Sequence, residues 1–195
     1  MRIWILVVIG AVLPLVGGAT LGSITTDSGE GTWAHPVEPT AFLALSVLLA
    51  VSHLLVMLGY LAVASDSRGA GAALARLGAA GLAVLAACEV WSGLLASTAL
   101  DATVVDILEL GYALASVAVV VGTVGAGFAL RGTGSPYAVP LLVIGIFLAI
   151  VLPVRFLASD VAGVVGLTVW SLLYIWLALR LRTRLRSSAA AGVLT

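Results

Sequence analysis

The chain reads as an all-α, polytopic integral membrane protein: a bundle of six transmembrane helices with both termini in the cytoplasm. Three observations predict this. Charged residues make up only 9% of the 195 residues, 62% are hydrophobic, and mean hydropathy is +1.24; a water-soluble domain carries charge on about a quarter of its residues. The apolar residues gather into six runs, each near the roughly 20 residues that cross a 30 Å hydrocarbon core. Eight of the nine Arg fall on what would be one side of the membrane, and Lys, Asn and Gln do not occur at all. Only helices and closed barrels satisfy their backbone polar groups in lipid, and the runs lack the strand alternation of a barrel.

The spans are predicted near 3–24, 41–64, 71–98, 104–130, 137–158 and 160–181, in one domain covering 1–195, with an outer loop at 25–40 and a cytoplasmic tail at 182–195. The first run begins after Arg2 and ends in small residues from Gly17 to Ala19. A secretory signal shares that layout, but the run is long enough to span, and an uncleaved first helix is expected. Gly18 and Gly22, four apart, offer it a close-packing face.

The loop after this span holds Asp27, Gly29, Glu30, Gly31, Trp33, His35, Pro36, Glu38 and Pro39. Polar and punctuated by Gly and Pro, it is expected to form an ordered cap with Trp33 as an interfacial anchor. Span two carries Ser46, His53 and Tyr60 at seven-residue spacing, hence on one face. Span three is built largely from Gly and Ala (Gly71, Ala72, Ala73, Gly78, Ala79, Ala80, Gly81). In lipid, small residues supply the close backbone approach that holds helices together, so span three is expected to be the central one. Its single carboxylate, Glu89, lies roughly 14 Å from the outer end at 1.5 Å per residue, at a depth similar to His53.

Span four begins with Asp106 and Glu109 on one face, a stripe continued by Ala113, Ser116, Thr123 and Gly127. Span five has Pro140 and Pro153, which favour kinks, and Arg155 near its outer end, the only Arg off the cytoplasmic side. Asp160 marks the junction to span six, which ends in Arg180, Arg182, Arg184 and Arg186. Those cations act first as the signal retaining the helix end in the cytoplasm; anionic lipid headgroups are their other expected partner. The tail from Ser187 is expected to fray. Trp4, Trp170, Trp176, Tyr137 and Tyr174 read as interfacial belt residues. The connections at 65–70, 99–103 and 131–136 are short, which makes successive helices antiparallel neighbours. Gly31-Thr32 with Pro36 and Ala64-Ser65-Asp66, echoed by Gly132-Thr133 with Pro136 and Ala158-Ser159-Asp160, hints at an inverted three-plus-three repeat.

A charge at the bilayer centre costs about 2.5–3.5 kcal/mol on insertion scales, so intramembrane ionisable groups are paired, neutralised or face a wet cavity. The candidate ligand-binding or proton-coupling residues are Glu89, His53, Glu109, Asp106, Arg155, Tyr60 and Tyr112. Asp106, Glu109 and Arg155 read most simply as an interhelical ion-pair cluster also reachable by Asp160. Glu89 divides evenly between a neutral hydrogen-bonded carboxyl that sets helix register and a binding or proton-carrying group.

Several chemistries are excluded or disfavoured. Without Lys there is no Schiff base. There is no P-loop and no G-x-S-x-G elbow. Two His, His35 being in the loop, do not make an intramembrane haem stack, and the lone Cys88 precludes an internal disulfide or a thiolate zinc cluster. No cofactor or metal is expected. The layout is that of small bacterial multi-span proteins, with no motif that fixes a family.

Three functions remain, in order. The first is binding or translocation of a small apolar or cationic ligand through a polar site open to the outer side. The second is a non-catalytic accessory or scaffold subunit facing a membrane-protein partner or a second copy of itself. The third is a membrane enzyme using carboxylate and His acid–base chemistry, ranked last because no nucleophile–base spacing is visible. The partner in every case is the lipid bilayer, and nucleic acid is not expected.

Overall fold

A computed structural model describes residues 2–27, 29–155 and 160–192, with side chains described except at 152–155, 160–164 and 185–192. Among the described residues it holds six helices and no strand: α1 (Ile3–Thr20), α2 (Pro39–Ser65), α3 (Gly69–Leu94), α4 (Thr103–Arg131), α5 (Ala138–Arg155) and α6 (Asp160–Gly192). Five are long and apolar enough to cross a membrane: α1, α2, α3, α4, and α6 over Val165–Arg184. The described apolar part of α5, Ala138–Val151, is shorter. Each helix packs against the next, and α6 returns to α1 and touches α2, so the six form a closed ring.

Local chemistry explains the boundaries. Pro39 occupies the first turn of α2, where its missing N–H costs nothing, and Glu38 caps that helix by accepting from the Ala41 N–H at 2.8 Å. The backbone N–H groups of Thr40 and Ala41 hold the Glu38 carboxyl below its ordinary value of 4.5. Gly69, at φ +59°, makes the sharp entry from the α2–α3 turn into α3.

Two helices stop earlier than their hydropathy predicts. α1 ends at Thr20, and α3 ends at Leu94 instead of continuing to 98. The residues released from α3 are used by the loop after α1. Trp33 and Ala34 donate backbone hydrogen bonds to the carbonyls of Thr98 and Ala96 at 2.9 and 3.0 Å, and Leu100 donates to Gly31 at 2.9 Å. Those pairings give the carbonyls past the end of α3 partners in a distant loop, which hydropathy cannot register. At the other extreme α6 continues to Gly192, through residues expected to fray. Ala189, Ala190 and Ala191 are the strongest helix formers, and a run of them prolongs the helix until Gly192.

Glycine makes the close contacts between helices. A Cβ at Gly122 would lie 2.7 Å from the Gly78 Cα and 2.8 Å from the Leu74 carbonyl oxygen, so α3 and α4 touch backbone to backbone. A Cβ at Gly81 would meet the Ala115 carbonyl oxygen at 2.8 Å, and one at Gly10 would meet the Ser52 carbonyl oxygen at 3.0 Å. Ser52 adds a hydrogen bond from its hydroxyl to the Gly10 carbonyl at 2.6 Å. Lipid leaves little hydrophobic drive between helices, so this contact and such interhelical hydrogen bonds, worth about 0.6 kcal/mol on average, hold the ring. α3 sits between α2 and α4 and has half of its membrane-length window buried, the largest share among the five. The expectation that span three is the most buried is met; the expectation that it is central is not, because among the described residues α3 is one member of the ring and packs only against its two neighbours.

The suggested internal repeat finds no support at its first element. Gly31 has φ +82° in the loop, whereas Gly132 has φ −71° at the end of α4. Ala158 and Ser159 lie outside the described residues.

Candidate functional site

Polar side chains gather at three levels of the bundle. The ends are distinguished here by what they carry: the capped end has the 21–38 loop, and the arginine end has Arg68, Arg131 and the last turns of α6.

The middle level is a sealed knot. Tyr60 on α2 shares hydrogen bonds with Thr123 on α4 at 2.7 Å and with Tyr174 on α6 at 3.0 Å, and all three side chains are fully buried. Gly78 makes this reach available: a Cβ there would lie 2.9 Å from the Tyr60 ring, so the ring crosses α3 only because α3 has no side chain at that point. Thr123 also donates to the Val119 carbonyl, which leaves its oxygen to accept from Tyr60. Trp170 packs against Tyr174 with ring centroids 4.7 Å apart. Tyr60 was legible as a candidate. Tyr174, expected at the interface, is buried in the core instead, because its hydroxyl finds a partner there.

Beneath the cap lies the second cluster. The Trp33 indole Nε1 donates to Ser92 Oγ at 2.7 Å. Tyr112 lies beside both Ser92 and Glu89. A chain of polar contacts therefore runs from the loop through α3 to α4 and ends on Glu89. Trp33 is half-buried and bound to protein, so it fastens the cap to α3. The contacts of Gly93 with Leu43 and Ser46, and of Gly78 with Tyr60, fix the register of α2 on α3. That register sets Glu89 roughly one helical turn nearer the capped end than His53. Cys88, buried beside Gly111, is a neighbour of this cluster.

Asp106 and Glu109 are exposed on the first turns of α4. The side chains of Arg155 and Asp160 lie outside the described residues, and with them the expected ion-pair cluster.

The third cluster, at the arginine end, is one that no sequence candidate anticipated. Asp66, just past α2, accepts on one oxygen, Oδ2, from the Tyr137 hydroxyl at 3.0 Å and from Arg184 Nε at 3.1 Å. Tyr137 is buried, so the contact ties the start of α5 to the α2–α3 turn and to α6. Around it opens a cavity of about 180 Å³ lined by Ile3, Ala62, Ser65, Asp66, Tyr137, Leu181 and Arg184. Two residues earlier on α6, Arg182 lies over the Trp4 ring at 4.9 Å. A signal for this site was present: Asp66 is the single acidic residue in segments otherwise given over to Arg. Among the described residues no group of three or more His, Cys, Asp or Glu could hold a metal ion.

The apolar helices and their internal polar clusters define the class, a helical bundle consistent with an integral membrane protein. No family model, curated protein or solved structure matches the chain.

Proposed function

We propose that the chain is a closed, non-catalytic membrane subunit: six spans in the cell membrane, both termini cytoplasmic, packing against a membrane-protein partner or a second copy without passing solute through its centre. The observation that carries this reading is the Tyr60–Thr123–Tyr174 knot, three fully buried side chains whose hydroxyls satisfy one another across three helices. A conduit needs polar groups free to exchange partners with a solute, and here they are spent on the bundle itself. Backbone contact at Gly78 and Gly122 leaves no space between α3 and α4 at that level. The arginine residues on the inner connections and on α6 support the orientation.

The rival reading, binding or translocation of a small cationic or apolar ligand from the outer side, draws on the Trp33–Ser92–Tyr112–Glu89 chain. One experiment separates the two. Purified protein is reconstituted into liposomes that hold a pH-sensitive or cation-sensitive dye. The closed reading expects flux no greater than in protein-free liposomes, and a leak in a monodisperse Tyr60→Ala/Tyr174→Ala variant that opens the knot. Saturable flux through the wild type, abolished by Glu89→Gln, replaces it with the rival.

A further inference from the structure

The cavity at the arginine end is built unlike the sealed knot at the middle of the bundle. Its walls at Ile3, Ala62 and Leu181 are apolar, and its polar side is the Asp66–Arg184 pair with Tyr137 and Ser65. Every element that lines it does so at or near a helix end: Ile3 opens α1, Asp66 lies just past α2, Tyr137 precedes α5, and Arg184 lies where the apolar stretch of α6 stops. That is the depth at which lipid headgroups meet the acyl region.

The ion pair is engaged on one side only. Tyr137 and Arg184 share Oδ2 of Asp66, and Arg184 uses Nε alone. Among the described residues Asp66 Oδ1 accepts no hydrogen bond, and the two terminal amino groups of Arg184 donate none. The Arg184 and Asp66 side chains are 50% and 35% exposed, so both charges remain reachable. The carboxylate oxygen and the guanidinium amino groups that the pair does not use complement a ligand carrying both a cation and an anion. A plain anion would face the Asp66 carboxylate, and a plain cation would face Arg184. At about 180 Å³ the space lies below the roughly 300–1,000 Å³ of pockets that bury drug-sized ligands, so the occupant is small or is one end of a larger molecule.

We infer that this cavity binds a zwitterion with a primary ammonium and a phosphate, the chemistry of a phosphoethanolamine headgroup. The ammonium donates to Asp66 Oδ1, and the phosphate accepts from the terminal amino groups of Arg184 in charge-assisted bonds. The apolar wall of Ile3, Ala62 and Leu181 accommodates the carbon chain attached to the phosphate. The site does not depend on whether the bundle centre is closed.

The test uses the full-length protein in detergent and native mass spectrometry. It is offered equimolar phosphatidylethanolamine, phosphatidylcholine and phosphatidylglycerol of identical acyl chains, and separately soluble phosphoethanolamine. The expected result is about tenfold preference for phosphatidylethanolamine over phosphatidylcholine, whose quaternary ammonium cannot donate to Asp66; tenfold is what one charge-assisted hydrogen bond supplies. Asp66→Asn, which keeps an acceptor for Tyr137, should abolish the preference. Binding of soluble phosphoethanolamine would identify a free solute as a ligand, and binding of the lipid alone would identify the bilayer as its source; either supports the site. Equal retention of the three lipids by the wild type, selection of phosphatidylglycerol, or a preference that survives Asp66→Asn overturns it.

Discussion

Single residues in this bundle act through where their one polar atom lands. Asp66 and Glu38 are both carboxylates just outside a helix, yet they do different work. Asp66 collects a phenol and a guanidinium and ties three elements together. Glu38 serves its own helix, and the backbone N–H groups of Thr40 and Ala41 keep its carboxyl ionised to lower pH than the usual 4.5. A carboxyl whose folded pKa is depressed contributes stability that is present above its unfolded value and lost as pH falls through the folded one. Glu38→Gln should therefore unfold at a lower temperature than the wild type at pH 7, with the gap closing below about pH 4.5, where the wild-type carboxyl protonates. Melting curves of both proteins from pH 7 to pH 3 check this, and a gap that stays constant would contradict it.

Between elements, the decisive feature is how near two backbones come. Gly122 and Gly132 are both glycines late in α4 or just after it, and the surroundings give them opposite fates. A Cβ at Gly122 would enter the backbone of α3 at Gly78. At Gly132 the backbone is right-handed helical, at φ −71°, and a Cβ would meet nothing within 4 Å. Gly122→Ala should cost about 1–3 kcal/mol or more as overpacking, while Gly132→Ala should be neutral or gain about 0.4–1 kcal/mol by narrowing the unfolded ensemble. Reversible unfolding in mixed micelles measures both, and equal effects would remove the close α3–α4 contact from the account.

At the scale of the whole molecule, the arginine distribution makes a prediction about sides. In a Cys88→Ala background, cysteine placed at the exposed Glu30 should react with a membrane-impermeant maleimide added to intact cells. Cysteine at Gly69 or Ser188 should react only after the membrane is opened. Labelling of Gly69 from outside would invert the proposed orientation. A cysteine at Gly134, in the α4–α5 connection, should behave like Gly69 if both α3 and α4 cross; this bears directly on the span count.

The membrane class was legible in the chain's own composition, because a lipid environment imposes length and apolarity on each span separately. The helix sequence, the deep burial of the Gly- and Ala-rich α3 and the candidacy of Tyr60, Glu89 and Tyr112 come from local pattern. A residue's partner does not, since that depends on helices brought together from far apart in the chain. Tyr174 and Tyr137 have the sequence look of interfacial aromatics, and only the ring of helices turns their hydroxyls toward Tyr60 and Asp66. The stretch past α3 shows the same: hydropathy continues to 98, the helix ends at Leu94, and the carbonyls of Ala96 and Thr98 find loop donors at Ala34 and Trp33. Hydropathy measures each residue's transfer to lipid, which the sequence determines by itself; hydrogen-bond and ion-pair partners are a property of pairs, and those only the tertiary structure decides.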